Sequence, residues 1–324
     1  QTEYGTSRQS TADIPNTPQP EQPTLFTVDT NGKLTPGVAL MRELTPEATL
    51  TLGRYWFRRF LEQSGHPKNT IESYSYDLAL CEERIGPKPV TQISARDIAA
   101  FLGDSSTRST RKRRLTSLNT FFKFLIVQCH LVTEKENPAA GFYPEHIPLK
   151  TPQPLFADEQ ERFLAAAAEE NERSTLIAHL LLRLGLTRGE LLTIRKEHVD
   201  LSDPERPIVY IYYDAARYRN KERKLAADAA FAEDFTAYIA AYDPQDRLIA
   251  LPPQSINKIV ERIAAAAEIN KKVTPQSLRD TWAVERAREG NDAPKLIALL
   301  GLAEDSRNKM SVERYIKLAS PALS

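Results

Sequence analysis

The sequence predicts a mainly α protein in two folded parts, a four-helix N-terminal domain and a mixed, mostly α domain that holds a small antiparallel sheet. Three observations carry this prediction. Apolar residues recur at helical spacing in four segments between residues 46 and 130. A Pro-Gly stretch, "ENPAAGF", then breaks the pattern. Beyond it one β-branched and aromatic run, "RPIVYIYYD", and its charged return, "ARYRNKERKLAAD", are embedded among further helical patterns.

Residues 1–47 are rich in Pro, Thr, Gln and Ser and lack the apolar content to bury a core, so they read as an extended arm with a short "TLFTV" strand or docking segment. The first helix falls near 46–63, with Leu52, Tyr55, Trp56, Phe60 and Leu61 at helical spacing. The second opens at "NTIESYSYDLALCEERI", where Asn69 or Thr70 can cap and Ile71, Tyr74, Leu78 and Cys81 form a stripe. "SARDIAAFLGD" is a short third helix, with Ser94 as N-cap and Asp97 three residues on. The fourth, near 107–130, places Leu115, Leu118, Phe122 and Leu125 on one face. The domain limits that follow are an arm at 1–47, an all-α domain at 48–137, a linker at 138–153 and a second domain at 154–324. In that second domain "FADEQERFLAAAAE" and "STLIAHLLLRLGL" read as helices before the hairpin, and everything from about 228 onward reads as helical.

Composition excludes several classes. No apolar run approaches the ~20 residues needed to span a bilayer, and no signal-peptide pattern opens the chain, which points to a cytoplasmic protein without a membrane partner. Cys81 and Cys129 lie in apolar helical contexts and read as reduced thiols. Five histidines without paired spacing argue against a metal site. Net charge is zero, yet residues 51–150 carry 15 Lys and Arg against 10 Asp and Glu. That excess points to a polyanion partner for the first domain.

The excess is concentrated in "STRSTRKRRLTSLNTFFKFL", where Arg108, Arg111, Lys112, Arg113 and Arg114 crowd the first turns of a helix. Each cation there opposes the helix dipole by ~0.3–1 kcal/mol. Phosphate would compensate them, whereas a solvated basic face is the alternative.

Taken in order, the all-α domain, the Asn-Pro linker, "GLTRGELLTIRKEHVDL", the charged hairpin, "TPQSLRDTWA", "LIALLGL" and "SVERYIKL" resemble the tyrosine recombinase (phage integrase) family over roughly residues 48–320. The resemblance implies a SAM-like core-binding domain followed by a catalytic-type domain, with double-stranded DNA as partner and no cofactor or metal. It further implies a tyrosine that attacks a DNA phosphate to form a 3′-phosphotyrosyl bond. Arginines and histidines stabilise the charge that develops, and a hairpin lysine protonates the leaving oxygen.

Matched position by position, the nucleophile falls on Tyr315, whose side chain could equally cover core surface, and the second arginine falls on Arg279. The histidine three residues before that arginine is Gln276, and the residue after "LLG", usually His or Trp, is Leu302. From Leu302 to Tyr315 the chain is some four residues longer than the family commonly is. Tyr218 stands where the hairpin lysine is expected, with Arg217, Arg219, Lys221 and Lys224 around it. Gly185 and Glu190 hold the register of the first motif, so its arginine position is Thr187 and Arg188 is the neighbour, turned about 100° away on a helix.

These substitutions point to a recombinase-like protein that clamps duplex DNA between its two domains with little or no strand cleavage. Its role would be architectural, accessory or regulatory, near the nucleoid, on DNA as a homo-oligomer or beside a partner recombinase. Two alternatives stay open. One is an active divergent recombinase using Tyr315, Arg279, Arg188 and Lys221; the other is a helical protein-interaction module without DNA. The expected DNA-contacting residues are Lys68, Arg108, Arg111, Lys112, Arg113, Arg114, Arg219, Lys221 and Arg223.

Overall fold

The computed structural model describes residues 44–320 in full and the backbone of 26–28 and 34–36. Two compact units divide between Pro148 and Leu149, inside the expected linker. Within the arm, β1 (Phe26–Val28) pairs antiparallel with β2 (Leu34–Pro36), which places the expected "TLFTV" strand; the rest of the arm up to Glu43 lies outside the described residues. Leu44 is already buried in the first core, a few residues before the expected domain limit at 48.

The first unit contains α1 (Leu50–Gln63), α2 (Lys68–Ile85), α3 (Ala95–Gly103) and α4 (Arg108–Val127). The inward face of α1 is Leu50, Trp56, Phe57 and Leu61, while Leu52 and Tyr55, expected in the stripe, face solvent. Phe57 is the pivot of this core and meets Phe121 of α4 edge-on, with ring centroids 5.4 Å apart. α2 starts one turn earlier than Thr70, with Pro67 at the N-cap; proline's fixed φ suits that entry, and neither Asn69 nor Thr70 caps. α3 starts as expected: the Ser94 hydroxyl accepts the Asp97 N–H, and the Asp97 carboxylate accepts the Ser94 N–H at 2.8 Å. Cys81 and Cys129 are thiols whose pKa burial pushes up to about 12.

The second unit opens with α5 (Ala157–Glu170) and α6 (Glu172–Ala178), which widens into a π turn over His179–Arg183 instead of continuing as α-helix. The chain then reverses at Gly185, with φ +64°. A Cβ there would lie 2.3 Å from Trp282 Cε3, so both the backbone angle and the indole face demand glycine. A short α7 (Arg188–Leu191) leads to a three-stranded antiparallel sheet ordered β3 (Val199–Asp200), β4 (Ile208–Ile211), β5 (Arg223–Ala226). Val209 and Leu225 pair on the buried face of the sheet, and Tyr210 pairs with Lys224 on the other. Helices α8 (Ala229–Tyr242), α9 (Pro253–Ala266), α10 (Pro275–Arg288), α11 (Ala293–Leu299) and α12 (Ser306–Ala319) complete the unit. Leu278, Ala283 and Val284 bury the inner face of α10, and Val312 does the same for α12. No helix among the described residues is long and apolar enough to cross a membrane.

Candidate functional site

α10 is fixed at its start by Thr274, whose hydroxyl accepts the Ser277 N–H, and by Pro275 in the first turn. One turn later it presents Arg279 and Asp280 to a cavity of about 680 Å³ in the second unit. α12, capped by Asp305, contributes Arg307, Asn308, Ser311, Arg314 and Tyr315, and the segment before α5 contributes Leu149, Lys150 and Pro152.

Tyr315 is 7 % exposed and donates its hydroxyl to Asp280 Oδ1 at 2.7 Å. The same oxygen accepts Gln276 Nε2 at 2.8 Å. Burial first, and the adjacent carboxylate second, push the Tyr315 pKa well above the ordinary phenol value. The residue is therefore a neutral phenol at pH 7, and any attack by its oxygen requires a proton acceptor.

Arg279, 5 % exposed, donates one terminal nitrogen to the Gly185 carbonyl and the other to the Leu300 carbonyl at 2.5 Å. It ties the turn before α7 to the end of α11 as well as lining the cavity. Its charge is balanced by Glu190, 3.8 Å away. Glu190 is the hub of this layer. It accepts the Thr187 N–H at 2.8 Å, Arg223 at 2.7 and 3.1 Å, and Tyr213 Oη at 2.5 Å. Burial alone would raise the Glu190 carboxyl, but Arg223, Arg279 and the Thr187 N–H hold it down at about 2. Burial and Glu190 together push Tyr213 up to about 12.

Thr187 lines the cavity, and its hydroxyl is the N-cap of α7, accepting the Glu190 N–H at 3.1 Å. Arg188 leaves the cavity and donates to Asn257 of α9 at 3.2 Å. Leu302 and Gln276 stand on the cavity wall as well.

Two family models match the chain: the phage integrase N-terminal SAM-like domain over residues 55–128, and the phage integrase family over residues 154–320. The chain belongs to the phage integrase family. A tyrosine recombinase of Thermosipho africanus is 26 % identical over 251 residues, covering 73 % of this chain and 85 % of that protein. The tyrosine recombinase XerC of Anoxybacillus flavithermus is 27 % identical over 289 residues, covering 80 % and 93 %. Among solved structures, a lambda integrase dimer bound to a COC′ core site covers 92 % of this chain and 96 % of its own, with TM-score 0.64 and 16 % identity. XerH site-specific recombinase bound to palindromic difH substrate covers 77 % and 76 %, with TM-score 0.60 and 19 % identity. These structural likenesses establish the fold.

Within this integrase fold the residues singled out by sequence divide into three groups. Tyr315, Arg279, Thr187, Gln276 and Leu302 converge on one cavity, whereas Arg188 does not. In the hairpin, Arg219 and Lys221 lie on a 3₁₀ segment (Ala216–Lys221), with the Lys221 ammonium 5.3 Å from the Tyr218 ring centre, and neither lines the cavity. Arg223, expected on DNA, is instead buried in the Glu190 ion pair, because β5 carries it inward towards the Gly301 turn.

In the first unit, the five-residue basic run is compensated in large part by its own domain. Arg108 and Arg111 approach Glu145 at 3.4 and 3.2 Å. Arg113 pairs with the fully buried Asp77 at 2.6 Å. Arg114 donates to the Phe101 carbonyl at 3.0 Å and lies over the Phe101 ring. Lys112 is exposed, and Lys68 stands in an exposed i,i+4 pair with Glu72 at 3.9 Å. Sequence reasoning missed Asp280, Arg307, Arg314, Lys150 and Tyr213. The adjacency of Asp280 to Arg279 and of Arg314 to Tyr315 was the available signal.

Proposed function

We propose that this chain is a DNA-binding member of the phage integrase family that holds duplex DNA through both units and cleaves it weakly or not at all, in an architectural, accessory or regulatory role. Threonine at position 187 carries the reading. The family's arginine would stand there, and the threonine at the cavity wall is committed to capping α7, while its neighbour Arg188 turns away to Asn257. Losing one positioned donor of this kind costs ~10²–10³ in rate, and Leu302 offers a phosphate no polar atom at a second position. DNA binding is supported by solved relatives bound to core-site and difH DNA. The lambda integrase tetramer on a Holliday junction supports assembly on DNA, with further copies of this chain or with a partner recombinase.

The active reading draws on one observation, the Tyr315–Asp280 hydrogen bond, which supplies a proton acceptor. A suicide substrate, nicked duplex carrying the cognate site, separates the two. No covalent adduct is expected, and an adduct abolished by Tyr315→Phe overturns the proposal. Negligible duplex affinity at low salt would instead favour an interaction module without DNA.

A further inference from the structure

α12 carries more than Tyr315. Arg307, Ser311, Arg314 and Tyr315 follow one another at steps of four, three and one, which places them on one side of the helix, and all four line the cavity. The four additional residues between Leu302 and Tyr315 amount to about one helical turn. The first turn of α12 is the one that presents Arg307.

Charge in the cavity is unbalanced. Lys150, Arg279, Arg307 and Arg314 line it against two carboxylates, Asp280 and Asp305. Both carboxylates are already engaged, Asp280 by Tyr315 and Gln276 and Asp305 by the Asn308 N–H at 2.7 Å. Among the described residues Arg314 takes only neutral partners, the Lys150 carbonyl and Ser311 Oγ at 3.4 Å, and its Nε is buried without a hydrogen-bond partner there. Arg307 and Lys150 are exposed and stand in no ion pair among the described residues. A guanidinium held by carbonyl and hydroxyl oxygens, as Arg314 is, keeps its full charge for a ligand, and with Arg307 on the same side of the helix it can match the oxygens of a phosphodiester.

We propose that Arg307, Arg314 and Lys150 form a phosphate-binding face that holds one backbone phosphate of duplex DNA against α12, supplying for binding the positive charge that Thr187 does not. This rests on the DNA-binding reading above. It assigns the binding to residues outside the family motifs and gives them no part in bond cleavage, since none is placed to accept the Tyr315 proton.

The test is a salt series of fluorescence-anisotropy titrations of the full chain with a mixed-sequence duplex. It compares wild type with Arg307→Gln, Arg314→Gln and, as a first-unit comparator, Lys112→Gln, with each melting temperature measured alongside. Arg307→Gln is expected to weaken binding several-fold and to lower the slope of log affinity against log salt by about 1, with its melting temperature unchanged. Arg314→Gln should act in the same direction. If wild type binds with a steep salt slope and Arg307→Gln retains both affinity and slope, the proposal is overturned while the DNA-binding reading stands. If wild type does not bind the duplex at low salt, the broader reading falls as well. Inorganic phosphate at matched ionic strength is the second probe. Thermal protection by phosphate that disappears in both variants, with duplex affinity unaltered, would mean a pocket for a small anion and would overturn the assignment to DNA.

Discussion

Arg223 donates both terminal nitrogens to the single carboxylate of Glu190, across 33 residues of sequence, with the two side chains 7 % and 4 % exposed. Tyr213 reaches the same carboxylate from the other end of the hairpin. One anion therefore gathers both stalks of the hairpin and, through Thr187 and Arg279, the wall of the cavity.

Removing the cation strips that buried carboxylate of its two shortest charged hydrogen bonds and leaves it Arg279 at 3.8 Å. Arg223→Met is expected to cost about 3–5 kcal/mol in urea unfolding. The double variant Arg223→Met with Glu190→Gln should recover part of the loss, because the stranded charge goes with it. A single variant within about 1 kcal/mol of wild type would show that the pair contributes little.

Acid should weaken the same layer. The folded pKa of Glu190, about 2, lies below its ordinary 4.5, so the folded state binds the proton less tightly than the unfolded chain. The contribution is complete above about pH 5 and is lost as pH falls towards 2, amounting to roughly 3 kcal/mol. Unfolding free energies measured from pH 6 to pH 3 should fall more steeply for wild type than for Glu190→Gln. Parallel profiles would contradict the assignment.

In the first unit, neighbouring cations should behave differently. Arg113→Gln strips a buried carboxylate, Asp77, of its cation; the loss is discounted to about 2 kcal/mol because Arg113 keeps 39 % of its side chain in water. Lys112→Gln should leave stability within about 0.5 kcal/mol and weaken duplex binding with a smaller salt slope. Equal effects of the two on both readouts would remove the distinction.

Gly185→Ala combines a left-handed backbone with overlap on Trp282 and is expected to cost at least about 3 kcal/mol. Gly103→Ala, at the end of α3 with open space around its Cα, serves as the control and should be neutral or slightly stabilising. Thermal melts of the two variants side by side decide the point.

Features that depend on near neighbours were legible in the sequence. The Ser94–Asp97 cap is a three-residue relation and formed as read. The register between Gly185 and Glu190 placed Thr187 at the cavity wall because glycine and glutamate each have one position they can occupy there. Relations across the chain were not legible. Five cations crowd the start of α4, but Asp77 and the Phe101 carbonyl, on other helices, give Arg113 and Arg114 partners within the domain that no local pattern announces. Arg223 is expected on DNA, yet the direction of β5 turns it inward. Leu52 and Tyr55 fit the α1 stripe by spacing because three- and four-residue steps suit two adjacent faces, and only packing against α4 selects one.

At Gly301, where φ is +58°, the position a Cβ would take lies 2.5 Å from Arg223 Nη1 and 2.9 Å from the Lys221 carbonyl. The turn ahead of α12 is thus a seat moulded to the base of the hairpin, and that base cannot shift without lifting off it. Within the hairpin, Lys221 and Arg223 form that base, and Glu222 between them accepts the Tyr213 N–H at 3.1 Å. A side chain at position 301 would therefore press on the hairpin and, through Arg223, on the Glu190 carboxylate at the same time.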